Sequence, residues 1–418
     1  MTESQKQLIQ ILAKNLFDKS YAGNALDIIN KNDPNALREV INEAKKQAVF
    51  SIVFSSIKEQ AKEALSEVEY EKNEKLSMLY RANAVRNLSE HSEISRLLLS
   101  RGLVHVFIKG VASASYYPDP FLRTSGDVDL LIMEKDLRVV NHLMLDNGFC
   151  KRDHAESHHF HWAYYRNKTV VEIHWKIPGL PSDDHIISKY VSSIFVDSIS
   201  KQTISGVIPI PTEFHHGLII LLHTLSHMTS TGIGLRHLCD WLVFVEGIDD
   251  SEFANLFEKP LKDIGLWRFA KALTNIGEYY FGCRKHVWCD DISEELCNYL
   301  LEEILDSGNF GTKDDGRRKI QSKMIRNTST RKIERKSIRR NLVSNVNSRA
   351  RKKHPIVVKC PLLLPLGWAS VGAEFLMWSN KKKNPTLILK AYSEAQKRQA
   401  MFADLKLFEE EKDSDLNS

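Results

Sequence analysis

Apolar residues recur at helical spacing through QKQLIQILAKNLF, through ALREVINEAKKQAVFSIVFSSI and again from Leu76 to Leu99, so residues 1–100 read as a helical region. Gly102 stands where the last of these helices should end. The rhythm then changes. Val104 to Ile108 and Asp127 to Met133 are short, mostly apolar runs of strand length. Between them lies a helix-compatible stretch, Val111 to Tyr117, closed by Pro118 and Pro120. Glu134 to Asp146 returns to helical spacing and stops at Asn147-Gly148. HFHWAYYRNKTVVEIHWKI holds two β-rich runs around Asn167-Lys168, which predicts a hairpin. Past Pro178 a partly β segment leads through Pro209 and Pro211 into an apolar helix from Glu213 to Met228, with helices continuing to about Leu305.

The predicted fold class is α+β. A small mixed sheet flanked by helices occupies 101–212, after the helical region 1–100 and before a helical domain at 213–310. A basic linker or helix at 311–354 follows, then an apolar segment and a charged helical tail at 355–418. The apolar segment, PIVVKCPLLLPLGWASVGAEFLMW, is interrupted by Lys359, Pro361, Pro365 and Glu374. That leaves about fourteen uncharged residues where a membrane span needs about twenty. It reads as a buried helix, the alternative being an interfacial segment beside a basic run.

Charge sharpens this division. Of the 418 residues, 43% are hydrophobic and 27% charged, as in a globular chain. Arg317 to Lys353 holds fifteen Lys or Arg against Glu334 alone, so the remainder carries −9 although the whole is +5. This basic stretch suits contact with nucleic acid or an anionic membrane surface, or simply a solvated face; it contains no Phe, Tyr or Trp on which bases would stack. The N-terminus lacks the basic-then-apolar plan of a secretory signal. Six scattered cysteines suit a reducing compartment. The expectation is a cytoplasmic protein, or one peripheral at the inner membrane face. Cys283, Cys289 and Cys297, with His286 among them, lack zinc-knuckle spacing and read as buried thiols.

The candidate chemistry lies at Asp127 and Asp129. Two apart on a strand, they project to one face with Cα atoms about 6.5 Å apart. Each resists ionising beside the other unless a cation neutralises both. An oxygen-rich site of this kind suits Mg²⁺ bridging carboxylates to phosphates. Lys109-Gly110 closes a strand and opens a helix, where free amides favour a phosphate. Arg123 to Gly126 sets a guanidinium and a permissive glycine before the acidic pair. Glu172 lies on the second hairpin strand, and completes a three-carboxylate site if that strand runs beside Asp127 to Ile132.

FIKG, LRTSGDVDLLI and VVEIHW, in that order, resemble an uncharacterised nucleotidyltransferase family of the DNA polymerase β superfamily, with its K-G…R…G-D-[IV]-D-L-[LV] pattern and later acidic strand. The resemblance runs on through HTLSHMTSTGIGLRHLCDW and HPIVVKCPLLLPLGW, from about Leu99 onward. It implies a polymerase β-like core and transfer of a nucleoside monophosphate from an NTP such as ATP. Asp127, Asp129 and Glu172 would hold Mg²⁺ or Mn²⁺, and Lys109 and Arg123 would clamp phosphate oxygens. Gly110-Val111 replaces the usual Gly-Ser or Gly-Gly, so phosphate contacts shift toward Ser113, Ser125, Gly126 or Arg123. The acceptor is a protein, an RNA end or a small hydroxylated molecule. A catalytically inactive scaffold of a surface polysaccharide or membrane-associated assembly and a tRNA-modifying toxin are the alternatives.

Histidines supply further candidates. His223 and His227 share a helix face, four apart, and with Asp240 make a conceivable zinc trio. Facing the cleft with Arg236, or forming an interdomain contact, suits them better. His174 neighbours Glu172 and reads as a packed strand residue or a base. His154, His158, His159 and His161 read as a solvated loop.

Overall fold

The computed structural model describes residues 1–17, 28–29, 33–152, 161–177, 185–313, 338–381 and 387–409. The first hundred residues form α1 (Glu3–Leu16), α2 (Pro34–Lys46), α3 (Phe50–Ser56), α4 (Lys58–Ala64) and the long α5 (Glu67–Leu99). Ser66 caps α5 in a capping box with Glu69, satisfying amides that the helix itself cannot. After Gly102, whose φ of +67° suits a residue without Cβ, the sheet begins. Its elements are β1 (His105–Phe107), the single turn α6 (Val111–Ala114), β2 (Val128–Ile132), α7 (Leu137–Asp146), β3 (Cys150–Lys151), β4 (His161–Arg166) and β5 (Thr169–His174). The short α8 (His185–Val191) and α9 (Ile194–Asp197) lead to a separate hairpin, β6 (Ile199–Thr203) and β7 (Gly206–Ile210).

The helices α10 (Glu213–Ser230), α11 (Leu235–Glu246), α12 (Asp250–Phe253), α13 (Lys259–Ile264), α14 (Trp267–Ile276) and α15 (Glu294–Ser307) follow. The C-terminal part supplies α16 (Ile338–Lys353), α17 (Ile356–Lys359), α18 (Leu364–Lys381) and α19 (Leu387–Asp404). One apolar core joins α1–α4 to α10–α15 and to the end of α19, from Leu8 and Phe50 through Trp241 and Phe269 to Phe402. Thus the two helical stretches, far apart in sequence, bury one another's faces.

The five-stranded sheet has the order β1-β2-β5-β4-β3, and only the β2–β5 pair is parallel. Strand alternation divides its residues cleanly. Val128, Leu130, Ile132, Val171 and Ile173 pack with Ile94 and Leu98 of α5 and Met144 of α7. The opposite face carries Asp129, Leu131, Glu172 and His174, and meets α10 through Ile219. The predicted hairpin is present. Asn167 and Lys168 both have positive φ, +48° and +71°, the pattern of a two-residue type I′ turn.

Two expectations are corrected. The helix foreseen over Val111 to Tyr117 is one turn long, because backbone bonds from Ser115 to Tyr117 fall to three-residue spacing before Pro118. The apolar C-terminal segment is not a buried helix. In α17, α18 and the turn between them, Val357, Gly367 and Val371 are buried, but Ile356, Val358, Leu362, Leu366, Trp368 and Met377 are exposed. α18 packs on the basic α16, with Trp368 Nε1 donating to Asn347 and Glu374 pairing with Arg349 and Lys353. No helix among the described residues is long and apolar enough to cross a membrane.

Candidate functional site

Parallel pairing of β2 with β5 sets Asp129 directly beside Glu172, and antiparallel pairing of β5 with β4 sets His161 beside His174. Asp127 is two residues before Asp129 and shares its face. Three neighbouring strands therefore turn Asp127, Asp129, Glu172, His174 and His161 toward one cleft of about 370 Å³, a volume within the range of small-molecule sites. The loop before Asp127 is held by α5: Asn87 Nδ2 donates to Ser125 Oγ at 2.8 Å and to the Gly126 carbonyl at 2.6 Å.

Lys109 reaches the cluster because the Ile108 amide donates to the Asp129 carbonyl, carrying the β1–β2 ladder one step beyond β1. Its Nζ donates to Asp129 Oδ1 at 2.8 Å. His174 Nε2 lies 3.1 Å from the same oxygen and 3.3 Å from Glu172 Oε2. Burial pushes the Asp129 carboxyl up, but the Lys109 charge and the His174 contact outweigh it and hold it well below the usual carboxylate range. Glu172 shows the same contest: burial opposes its ionisation, and the His174 contact prevails. Asp127, at the cleft mouth, has no such partner. Loss of hydration and the charges of Glu172 and Asp129 raise it to about 6.

The remaining predicted residues fall into place unequally. Gly110 has φ +38°, a conformation strained for a residue with Cβ, and a Cβ there would sit 3.7 Å from the Asp127 carbonyl oxygen. Gly126 lines the cleft with it. Ser113 lines it too, but its hydroxyl faces His216 Nε2 at 3.3 Å. Ser125 faces away, into a more apolar cleft of about 470 Å³ that has no acidic residue in its lining. Arg123 is not free to clamp a phosphate. Its Nε and Nη2 both donate to Asp240 at 2.7 Å, Tyr117 donates to the same carboxylate, and Arg123 and Asp240 are both buried.

His223, His227, Arg236 and Asp240 all line the cleft. Asp240 is occupied by Arg123, and His223 and His227 face each other Nε2 to Nε2 at 3.0 Å, so these three do not form a zinc trio. Burial keeps both imidazoles neutral, with His227 lowered to about 4. Arg236 lies over Phe310, and its Nη1 donates to the Thr124 carbonyl at 3.4 Å. Burial lowers its pKa. The three clustered cysteines are buried thiols whose pKa burial raises, Cys297 to about 12, while Asp250 and Glu246 take the nitrogens of His286.

His161 was misjudged as part of a solvated loop. A two-residue turn at 167–168 pairs residues whose numbers sum to 335, which places His161 opposite His174. That arithmetic was the available signal. His154, His158 and His159 lie outside the described residues, as does the basic segment up to Ser337. His237, which lies within HTLSHMTSTGIGLRHLCDW but was not singled out there, and Phe310, which carried no motif, also line the cleft.

A family described as an uncharacterised nucleotidyltransferase matches residues 33–282, which contain every strand among the described residues and Asp127, Asp129 and Glu172. The chain belongs to this family. The match reaches further toward the N-terminus than the motifs suggested and stops short of His354 to Trp368. No curated protein and no solved structure matches the chain. Family membership supports transfer of nucleotidyl groups, and hence an NTP substrate, as the general chemistry of the site.

Proposed function

We propose that the protein is a Mg²⁺- or Mn²⁺-dependent nucleotidyltransferase of the DNA polymerase β superfamily, moving a nucleoside monophosphate from an NTP to a hydroxyl acceptor. One observation carries this reading: Asp127, Asp129 and Glu172 share one face of β2 and β5 in a cleft that also holds Lys109. The donor set fits such a cation. Its atoms are oxygens, and the repulsion from Glu172 and Asp129 that adds to burial in raising Asp127 to about 6 is relieved by a dication. When bound, the cation polarises phosphate oxygens and offsets charge on the departing pyrophosphate.

The chain's own groups then divide the work. Lys109 exchanges Asp129 for a phosphate oxygen, a short displacement because both partners lie in the same cleft. Arg236 takes the guanidinium role that Arg123, locked on Asp240, does not supply. Gly110 lets the backbone approach the phosphates. The acceptor oxygen bonds to the α-phosphorus as the bond to the β-phosphate oxygen breaks. Pyrophosphate leaves, and the acceptor's proton passes to Glu172, which, unlike Asp129, accepts no hydrogen bond from Lys109.

Incubation with each α-labelled NTP, Mg²⁺ or Mn²⁺, and a lysate fractionated into protein, RNA and small molecules tests the reading. Label should enter one fraction from at least one NTP and vanish with Asp127→Ala/Asp129→Ala. Equal labelling by the double variant rejects it.

A second reading concerns location. We propose that α16–α18 rests on an anionic membrane surface. Leu362 and Leu366 are 89% and 68% exposed, and Arg351, Lys352 and Lys359 of α16 and α17 are exposed too. The basic run 317–353 leads directly into this region.

A further inference from the structure

His161 and His174 face each other across the β4–β5 hairpin with ring centroids 5.0 Å apart. Both turn Nε2 toward Glu172, at 3.9 Å and 3.3 Å. One donor atom from each of His161, Glu172 and His174 lies within 4.8 Å of the other two. The residue opposite Glu172 on β4 is the small Ala163. His174 is 1% exposed on a central strand, so its ring is fixed before any ligand arrives.

Two imidazoles and one carboxylate are a poor donor set for Mg²⁺, which takes oxygens and dehydrates reluctantly. They are the set with which catalytic zinc sites leave a fourth position open. Imidazole also favours Co²⁺, Ni²⁺ and Zn²⁺ over the harder cations. We propose that His161, Glu172 and His174 form a second cation site, joined to the Asp127–Asp129 site through Glu172, which selects an imidazole-seeking dication of the Zn²⁺ and Co²⁺ class. The open position faces the cleft that His223 and His227 line from α10. Uptake at Nε2 of His174 replaces the contact that this nitrogen makes with Asp129 Oδ1. What the second ion does rests on the nucleotidyl-transfer reading; that it binds does not.

Metal-free protein titrated with CoCl₂, without nucleotide and in large excess of Mg²⁺, tests the site through visible Co²⁺ absorption. One Co²⁺ per chain should enter and be displaced by Zn²⁺ but not by Mg²⁺. His161→Gln, at the first position of β4, should weaken uptake by at least about tenfold while the metal-free melting midpoint stays that of the parent. Asp127→Asn should retain the Co²⁺ signal. Absence of the signal in the parent protein, equal affinity in His161→Gln, or displacement by Mg²⁺ overturns the inference. Label transfer with Mg²⁺ by a protein that takes up no Co²⁺ sinks this site and leaves the transferase reading standing; Co²⁺ uptake without any transfer does the reverse.

Discussion

At the scale of single residues, the two arginines near the carboxylates separate structure from chemistry. Arg123 makes a buried, bidentate pair with Asp240 that Tyr117 also joins. Removing one partner strands a charge, at a cost of about 3–5 kcal/mol. Arg123→Ala should therefore lower the denaturant midpoint sharply. Among the described residues the Arg236 side chain makes one long hydrogen bond and lies over Phe310, so Arg236→Ala should cost little stability and raise KM for the NTP by about 10–100-fold, the worth of a charge-assisted contact. The opposite pattern in urea titrations and steady-state kinetics would exchange the roles. Asp127 supplies a pH test. Its folded-state pKa is raised to about 6, so the folded state resists ionisation. The penalty is absent at pH values below the ordinary aspartate range, grows as pH rises toward 6 and is complete above it. In metal-free protein, Asp127→Asn should raise the melting temperature at pH 7.5 and lose that advantage near pH 3.5. An equal difference at both pH values would show that ionisation of Asp127 is not the cause.

Among the elements, the β4–β5 hairpin shows what could be read in advance. Asn167-Lys168 between two β-rich runs fixes a two-residue turn, and with it the register that faces His161 with His174. Glu172's face follows from alternation alone. The parallel pairing of β5 with β2 does not, because strands roughly forty residues apart in sequence carry no local mark of adjacency. The same limit hid the shared core of α1–α4 with α10–α15, and the Arg123–Asp240 pair, which joins residues 117 positions apart. Periodicity reports which face of a helix is apolar, and it is silent on what covers that face; α18 was misread for that reason. The turn makes its own prediction. Lys168 at φ +71° is strained, whereas glycine is not, and Arg166 ties the adjacent strand to α5 through Glu90 and Glu93. Lys168→Gly should stabilise the fold by about 0.5–1 kcal/mol in urea titrations and leave Co²⁺ uptake intact. Inserting one residue between Asn167 and Lys168 should instead turn His161 to the other face and abolish it. Retention of Co²⁺ by the insertion variant would contradict the register argument.

For the whole molecule, the question is how a catalytic body and an apolar, basic C-terminal region serve one protein. α16 and α18 approach closely: a Cβ at Gly367 would come within 3.0 Å of the Ala350 Cβ, and His354 faces Ser370 at 2.9 Å. The pair is thus packed on its inner side while Leu362 and Leu366 project outward. Three cations near an anionic surface contribute about 3 kcal/mol together, and each leucine about 1.5–3 kcal/mol once withdrawn from water. The apolar share is at least equal to the electrostatic one. Salt should therefore weaken attachment without abolishing it, whereas Leu362→Asp/Leu366→Asp should abolish it. Flotation with phosphatidylserine-rich vesicles checks both, with pure phosphatidylcholine vesicles as the neutral arm and a polyanionic RNA as competitor. Binding that tracks the RNA, persists in the double variant or is equal on neutral vesicles would assign the basic run another partner. Label transfer by the same double variant should match the parent, because the region lies outside residues 33–282 and none of its side chains lines the carboxylate cleft.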